Sequence, residues 1–136
     1  VCDLYLPCTG VTLNTSFMPA NLLNDKGEIV VDEYMKVKGA TDMWSCGDAA
    51  NIQAKKVMYA GEQATTLAVN IHSVFTTGTP KAPYKPDNKP MGAVTVGRAK
   101  GFGQMGNWSL PSFMVMFVKG KTMMVENLPK LISGTM

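Results

Sequence analysis

The segment from Thr41 to Ala50, TDMWSCGDAA, constrains the fold of this chain more than any other stretch. Its apolar run 43–46 predicts a short buried strand, and the glycine turn that follows places the Asp48 carboxylate at the strand's carboxyl end. Ligands of open α/β sheets bind at that edge. A carboxylate fixed there can accept hydrogen bonds from sugar or polyol hydroxyls, and Gly47 lets a ligand approach the backbone because it has no Cβ. The alternative is a loop aspartate that caps the next segment.

The composition limits the classes of protein to consider. A chain of 136 residues suits one domain, and 46% hydrophobic with 17% charged residues indicates a globular protein. The net charge of +3 is too small to indicate nucleic-acid binding. The three cysteines, Cys2, Cys8 and Cys46, lack the spacing of a metal site or a disulfide framework. We therefore expect reduced thiols, no metal and an intracellular protein.

The first part of the chain predicts a strand and a hairpin. Residues 1–7 are apolar enough for a buried strand that ends at Thr9-Gly10. Because the chain begins with valine and enters this run directly, we expect it to be a piece of a longer polypeptide. Residues 21–32 contain two short apolar runs around a turn with Gly27 at its end, which predicts a β-hairpin.

The clearest helix prediction covers Lys56 to about Thr76. Its apolar residues recur at spacings of three and four, which predicts one buried stripe. These residues are Val57, Ala60, Ala64, Leu67, Ala68, Ile71, Val74 and Phe75. The small residues Ala60 and Gly61 allow close packing on a sheet or a flat ligand. Four prolines within 77–90 then predict a stiff extended connection, where we place a domain boundary.

The remainder of the chain predicts a smaller unit. Residues 93–96 indicate a strand, and 97–106 indicate a glycine-rich bend. Residues 109–111 resemble a helix start, with serine as cap and proline in the first turn. The very apolar run 113–118 fits a helix or a buried strand, and 122–132 is expected to be partly helical.

One motif in this region is misleading. Residues 101–106 spell GxGxxG, and Glu126 follows at about the spacing of a ribose-binding acid. A dinucleotide site needs these glycines to open a helix whose N-terminus faces the pyrophosphate. The preceding strand ends too early, and 107–111 does not continue as a helix. We interpret the motif as a flexible or tightly packed turn.

We interpret two isolated residues of reactive type, His72 and Cys46, as having no chemical role. His72 lies off the apolar stripe with no evident nucleophile beside it, so we expect a solvated or packing role. Cys46 is expected to be an inert thiol at a buried strand end. No catalytic residue is assigned.

An apolar group near the C-terminus leaves two interpretations open. It either forms an adaptable core or presents a patch to a membrane surface or a hydrophobic substrate. Its members are Trp108, Leu110, Phe113, Met114, Met116, Phe117, Met123 and Met124, with Lys119 and Lys121 beside them.

The order of these motifs resembles a known family. A strand ending in PCTG at 7–10, then Asn14-Thr15, a hairpin, TDMWSCGD and a small-residue helix is similar to the C-terminal part of the pyridine nucleotide-disulfide oxidoreductases. The later segments KVMYAG, YKP and VTVGR followed by GFGQ resemble the apoptosis-inducing-factor-like branch, which is related to ferroptosis-suppressor-type NAD(P)H:quinone oxidoreductases.

The resemblance implies an α/β to α+β fold, as a C-terminal fragment of a flavoprotein with two dinucleotide-binding domains. Residues 1–10 would be the last strand of the NAD(P)H-binding domain, and 11–79 the C-terminal part of the FAD-binding domain. Residues 80–90 would form the proline-rich joint, and 91–136 the C-terminal interface domain.

The resemblance also implies binding roles. Asp48 would hydrogen-bond the ribityl chain of FAD, and Gly47 would permit its close approach. The backbone at Met58 and Tyr59 would face the carbonyl end of the flavin ring, where the helix dipole stabilises negative charge. The cofactors implied are FAD and NAD(P)H.

The implied activity is transfer of hydride from NAD(P)H to FAD and of electrons to a quinone-like acceptor. Because neither Rossmann fingerprint is present, we expect this chain alone to be inactive and to bind FAD weakly. We expect no nucleic-acid partner, peripheral contact with a membrane, and self-association through uncovered edges. The expected location is cytoplasmic, on an intracellular membrane or associated with mitochondria.

Two other classes of function stay open. In the first, the chain is a non-enzymatic interaction or dimerisation module in which Gly47-Asp48 is only a turn. In the second, it is a membrane-attached accessory protein that uses residues 108–117.

Overall fold

The computed structural model describes residues 3–7, 9–120 and 122–134, without the side chain of Leu131. The protein is of mixed α and β structure and divides into two compact units, Val1–Asp87 and Asn88–Met136. Its helices are α1 (Val57–Thr77), α2 (Ser112–Val115) and α3 (Leu128–Ser133), and its strands are β1 (Met91–Val96), β2 (Lys100–Met105) and β3 (Trp108–Leu110). Within the described residues, no helix has the length and apolar character needed to cross a membrane.

The first unit consists of α1 and a chain of short turns joined by isolated bridges. The predicted hairpin is confirmed: Leu23 and Ile29 form an antiparallel bridge, and the Gly27 N–H donates to the Asn24 carbonyl at 2.9 Å. Ile29 also forms a parallel bridge with Ala50. The core is built on the hairpin and these bridges, and its buried residues are Leu22, Ile29, Val31, Val37 and Ala50.

The predicted buried strand at 43–46 is wrong. This segment forms a single antiparallel bridge, between Lys36 and Trp44, and its residues are half-buried or exposed. The Lys36 ammonium lies 5.7 Å from the Trp44 ring centroid. The indole is therefore partly covered by a lysine side chain and not enclosed in a sheet, which explains why an apolar run misled the prediction.

The predicted buried strand at the start of the chain is also wrong where the structure describes it. Leu4, Tyr5 and Leu6 are 69–77% exposed. No strand within the described residues pairs with 3–7, so these apolar side chains have no sheet to pack in. Val1, Cys2 and Cys8 lie outside the described residues.

Helix α1 confirms the predicted helix, and Gly78 ends it. Gly78 adopts a φ of +78°, and its N–H donates to the Val74 carbonyl at 2.9 Å. This left-handed C-terminal glycine is a common way to satisfy the last carbonyls of a helix.

The predicted buried stripe of α1 is wrong, because none of its members is buried. Val57, Ala64, Ala68 and Phe75 are exposed and the other four are half-buried, whereas the buried residues of the helix are Tyr59, Gln63 and Asn70. Periodicity of apolar residues misses this face because two of its buried side chains are amides. A buried amide side chain is stable when its nitrogen and oxygen are hydrogen-bonded, and the amides of Gln63 and Asn70 meet this condition.

Asn70 attaches the proline-rich connection to α1. Its Oδ1 accepts the N–H groups of Lys81 and Ala82 at 3.1 and 3.0 Å, and its Nδ2 donates to the Ala82 carbonyl at 2.9 Å. The extended connection predicted for 77–90 is confirmed for residues 79–90, which form neither helix nor strand, and is wrong for Thr77, which belongs to α1. The amide thus replaces the backbone partners that an extended chain lacks.

The second unit contains an antiparallel sheet in the order β1-β2-β3. Strand β1 confirms the strand predicted at 93–96. The bend predicted at 97–106 is wrong, because residues 100–105 form β2, with Val94 opposite Phe102. The GxGxxG motif therefore lies mostly on a strand and opens no helix, so its interpretation as a turn is also wrong.

The glycines of β2 accommodate a neighbouring helix. A Cβ placed on Gly101 would lie 2.4 Å from Val115 Cγ1, and one on Gly103 would lie 2.9 Å from Val115 Cγ2. Val115 is 2% exposed. The absence of side chains at these glycines is what lets α2 pack against the sheet.

The last segments agree with the sequence in most respects. Helix α2 confirms a helix over part of 113–118, and a π-helix, Met116–Gly120, continues it. Ser109 lies in β3 and is not the helix cap, so that detail is wrong; Pro111 precedes α2 directly. Proline has no N–H to donate to a sheet, which is a reason for β3 to end before it. Helix α3 confirms the predicted partly helical closing segment.

We predict that Gly101→Ala destabilises the protein by about 1–3 kcal/mol, because the new methyl group clashes with Val115. Gly92→Ala is the matched control, since a Cβ on this glycine of β1 meets nothing within 4 Å. Denaturant unfolding of both variants measures the difference. Equal stabilities for the two variants would contradict the packing described for β2.

Candidate functional site

The Gly47-Asp48 pair lies in a single 3₁₀ turn, Gly47–Ala49. Gly47 has a φ of +75°, a backbone conformation that glycine adopts readily and other residues avoid. A Cβ at Gly47 would lie 3.7 Å from the Ala60 Cβ of α1, which is ordinary contact. The backbone angle, and not a lack of room, is therefore the structural reason for glycine here.

A buried side chain of α1 holds this turn. The Gly47 N–H donates to Gln63 Oε1 at 2.7 Å, and Gln63 is 2% exposed. Sequence reasoning missed Gln63 because it searched for apolar residues. Its spacing of three from Ala60 and four from Leu67 places it in line with the predicted stripe, and that signal could have identified it.

The Asp48 side chain is exposed. No hydrogen bond or ion pair to its carboxylate is formed by the described parts of the chain, 3–7, 9–120 and 122–134. The alternative role, in which this carboxylate caps the following segment, is thus not seen. An exposed carboxylate on an anchored turn can accept hydrogen bonds from the hydroxyls of a ligand.

The turn packs beside the start of α1, where Met58 and Tyr59 lie. Met58 is 52% exposed and Tyr59 is 5% exposed. Lys56 precedes the helix and makes no side-chain cap, although its ammonium lies 5.2 Å from the Tyr59 ring centroid. The first N–H groups of a helix lack partners within it and carry the positive end of its dipole. The fold therefore places the glycine turn against the helix whose first turn contains the other two predicted positions.

The loop after Asp48 is attached to the hairpin. Lys55 Nζ donates to the Ala50 carbonyl and forms an ion pair with Glu28, both at 2.7 Å. Asn51 Oδ1 accepts the Val31 N–H at 3.0 Å. Hydrogen bonds from Lys55 and then Asn24 hold the pKa of Glu28 below its ordinary value.

A second set of contacts lies behind Gln63. The Tyr84 hydroxyl donates to Gln53 Oε1 at 2.6 Å, and Gln53 Nε2 donates to the Asp87 carbonyl at 2.6 Å. Burial raises the pKa of Tyr84, and the nearby charge of Glu62 adds to the rise. The phenol therefore keeps its proton at neutral pH and acts as a donor.

His72 and Cys46 take no part in this cluster of contacts. His72 is exposed, as predicted, on the C-terminal half of α1. It borders a pocket of about 690 Å³ that is also lined by Ala68, Val69, Ser73, Thr76, Thr77 and Lys81. Cys46 is a half-buried free thiol, so the predicted buried strand end is wrong for it. The described residues contain no group of three or more His, Cys, Asp or Glu side chains that could hold a metal ion.

Comparison with known proteins gives the following relatives. No family model matches the chain. It is 37% identical over its full length to oxidoreductase ptaL of Pestalotiopsis fici, covering 36% of that protein. It is 31% identical over 99% of its length to ferroptosis suppressor protein 1 of Xenopus tropicalis, covering 37% of it, and 30% identical over 97% of its length to oxidoreductase phnG of Penicillium herquei, covering 34%.

The chain is related in sequence to two proteins named oxidoreductase and to a ferroptosis suppressor protein. The sequence motifs indicated a resemblance to oxidoreductases, and these relatives confirm it at the level of an oxidoreductase family. The chain spans 34–37% of the length of these three relatives, about a third of each.

We predict that acid destabilises the protein through Glu28. The folded protein lowers the pKa of this carboxyl. Its contribution to the free energy of unfolding is therefore present when the pH is above the ordinary pKa of about 4.3, and it is lost as the pH falls through the folded-state pKa. Lys55→Met removes the main cause of the lowered pKa, so its stability should fall less between pH 6 and pH 3 than that of the wild type. The difference between the two proteins should correspond to the gap between the folded-state and ordinary pKa values of Glu28. Thermal unfolding at each pH measures the slopes.

Lys26→Met is the control for this prediction. Lys26 is exposed, and it is the weakest of the causes that lower the pKa of Glu28. Its substitution should leave the acid dependence close to that of the wild type. An unchanged acid slope in Lys55→Met would show that the pair with Glu28 does not hold the loop.

Proposed function

We propose that this chain closes the FAD site of an NAD(P)H oxidoreductase, which passes hydride from NAD(P)H to FAD and electrons to a quinone-like acceptor. The observation that carries the proposal is the exposed carboxylate of Asp48, which has no partner among the described residues and lies on a turn anchored to the start of α1. The names of two relatives, oxidoreductases ptaL and phnG, support the oxidoreductase class.

The residues present fit a flavin in two respects. The ribityl chain carries hydroxyl donors, and an ionised carboxylate such as Asp48 is purely an acceptor. The first turn of α1 offers N–H groups and a positive dipole end at Met58 and Tyr59, which suits the carbonyl end of the ring. Bound FAD would supply the hydride-accepting chemistry that amino-acid side chains lack.

The chain's own residues bind and orient in this proposal. Asp48 holds the ribityl hydroxyls, Gly47 sets the direction of the turn, and the backbone at Met58 and Tyr59 faces the ring. The GxGxxG sequence lies mostly on β2 and cannot bind a pyrophosphate in the usual way, because no helix starts there. We therefore propose that this chain alone binds FAD weakly and is inactive, with NAD(P)H bound by other parts of the protein.

The proposal extends to the domains and partners. It assigns 1–10 to the NAD(P)H-binding domain, 11–79 to the FAD-binding domain, 80–90 to a joint and 91–136 to an interface domain. Trp108, the α2 residue Phe113 and the neighbouring Phe117 are 59–90% exposed, which supports peripheral contact with a membrane or a hydrophobic acceptor.

A non-enzymatic interaction or dimerisation module is the second candidate. It is supported by the outer face of the sheet, where Val94, Val96 and Phe102 are 63–66% exposed. Apolar residues that share one exposed face favour self-association. This candidate predicts a colourless full-length protein, whereas the oxidoreductase predicts flavin absorption that bleaches when NAD(P)H is added.

Asp48→Ala tests the proposal in the full-length protein that carries this chain. Loss of a hydrogen bond to a charged acceptor should raise the dissociation constant of FAD roughly tenfold or more. Asp42→Ala is the matched control, because Asp42 is another exposed aspartate of the same segment and should change the constant less than about twofold. Titration of the apoprotein with FAD, followed by flavin fluorescence, measures both. Equal affinities for the two variants would contradict the role of Asp48.

A further inference from the structure

We propose that Gln63 is a positioning residue of the flavin site: it fixes the Gly47-Asp48 turn on α1 and thereby sets the affinity for FAD, without touching the cofactor. This inference rests on the proposed function. It follows from three features of the structure, namely the hydrogen bond to Gly47, the ordered contacts behind Gln63 and the burial of its side chain.

The hydrogen bond from Gly47 is the first feature. The N–H groups at the start of a 3₁₀ turn have no partner within the turn. Gln63 Oε1 accepts the Gly47 N–H at 2.7 Å. Because Asp48 is the next residue along the chain, its backbone position depends on where this N–H is held.

The contacts behind Gln63 fix the orientation of its amide. With Oε1 toward Gly47, the Nε2 group faces Gln53 Oε1 at 3.5 Å. Gln53 Oε1 also accepts the Tyr84 hydroxyl, and its Nε2 donates to the Asp87 carbonyl. Turning the Gln63 amide over would place its NH₂ group against the N–H of Gly47 and its oxygen against the oxygen of Gln53. Only one orientation matches every donor with an acceptor.

Burial makes this arrangement rigid. Gln63 is 2% exposed and belongs to the 21-residue helix α1, so water does not readily replace its hydrogen bonds. A binding group is held most accurately when the side chains supporting it are packed on regular structure. The turn that carries Asp48 has only three residues and has no such rigidity by itself.

The experiment compares Gln63→Leu with Asn70→Leu in the full-length protein. Both substitutions remove a buried amide from the same helix, but Asn70 bonds to residues 81–82 and not to the glycine turn. We expect similar losses of thermal stability. The dissociation constant of FAD should rise roughly tenfold or more in Gln63→Leu and less than about twofold in Asn70→Leu.

Gln63→Glu provides a rescue that a merely structural role does not predict. Its carboxyl oxygen can still accept the Gly47 N–H, and because burial favours the protonated acid, its O–H can donate to Gln53 Oε1 in place of Nε2. The affinity should therefore stay within about threefold of the wild type even if stability falls. A wild-type protein that binds no FAD overturns the proposed function and this inference together. A wild type that binds FAD, with equal affinities in the two leucine variants or no recovery in Gln63→Glu, overturns the positioning role alone.

Discussion

The hydrogen bond between the Gly47 N–H and Gln63 joins the two parts of the first unit on which the site depends. One part is a long regular helix, and the other is a chain of short turns joined by isolated bridges. A turn of this kind has little stability of its own, since it closes few hydrogen bonds and buries little apolar surface. Its attachment to α1 gives the Asp48 carboxylate a defined position.

Polar contacts recur wherever this unit lacks regular structure. Asn70 satisfies the backbone of the proline-rich segment, Asn51 accepts the Val31 N–H, and Lys55 donates to the Ala50 carbonyl. Each contact satisfies a backbone group that a helix or sheet would otherwise pair. The unit is therefore held by side-chain-to-backbone bonds around a small apolar core, and substitution of one amide or lysine affects the geometry of a whole turn.

The sequence predicts those elements whose signals are local. Helix α1 follows from spacings of three and four and from Gly78, and the hairpin follows from its glycine turn. The exposure of Leu4, Tyr5 and Leu6 and the incomplete burial of 43–46 could not be predicted, because each depends on which segments pair with these residues. Gly101 was misread because the clash that forbids a side chain there comes from Val115, a residue distant in sequence. The spacing of Gln63 could have indicated its burial, but its partner could not be predicted, because that partner is a backbone N–H 16 residues away in the sequence.

A structure of the full-length protein with FAD bound would show whether Asp48 holds the cofactor. We expect a ribityl hydroxyl within about 3.2 Å of an Asp48 carboxylate oxygen. We also expect the Gly47 N–H to donate to Gln63 in that structure. FAD bound elsewhere, or an Asp48 side chain that makes no contact with it, would contradict the role proposed for Asp48.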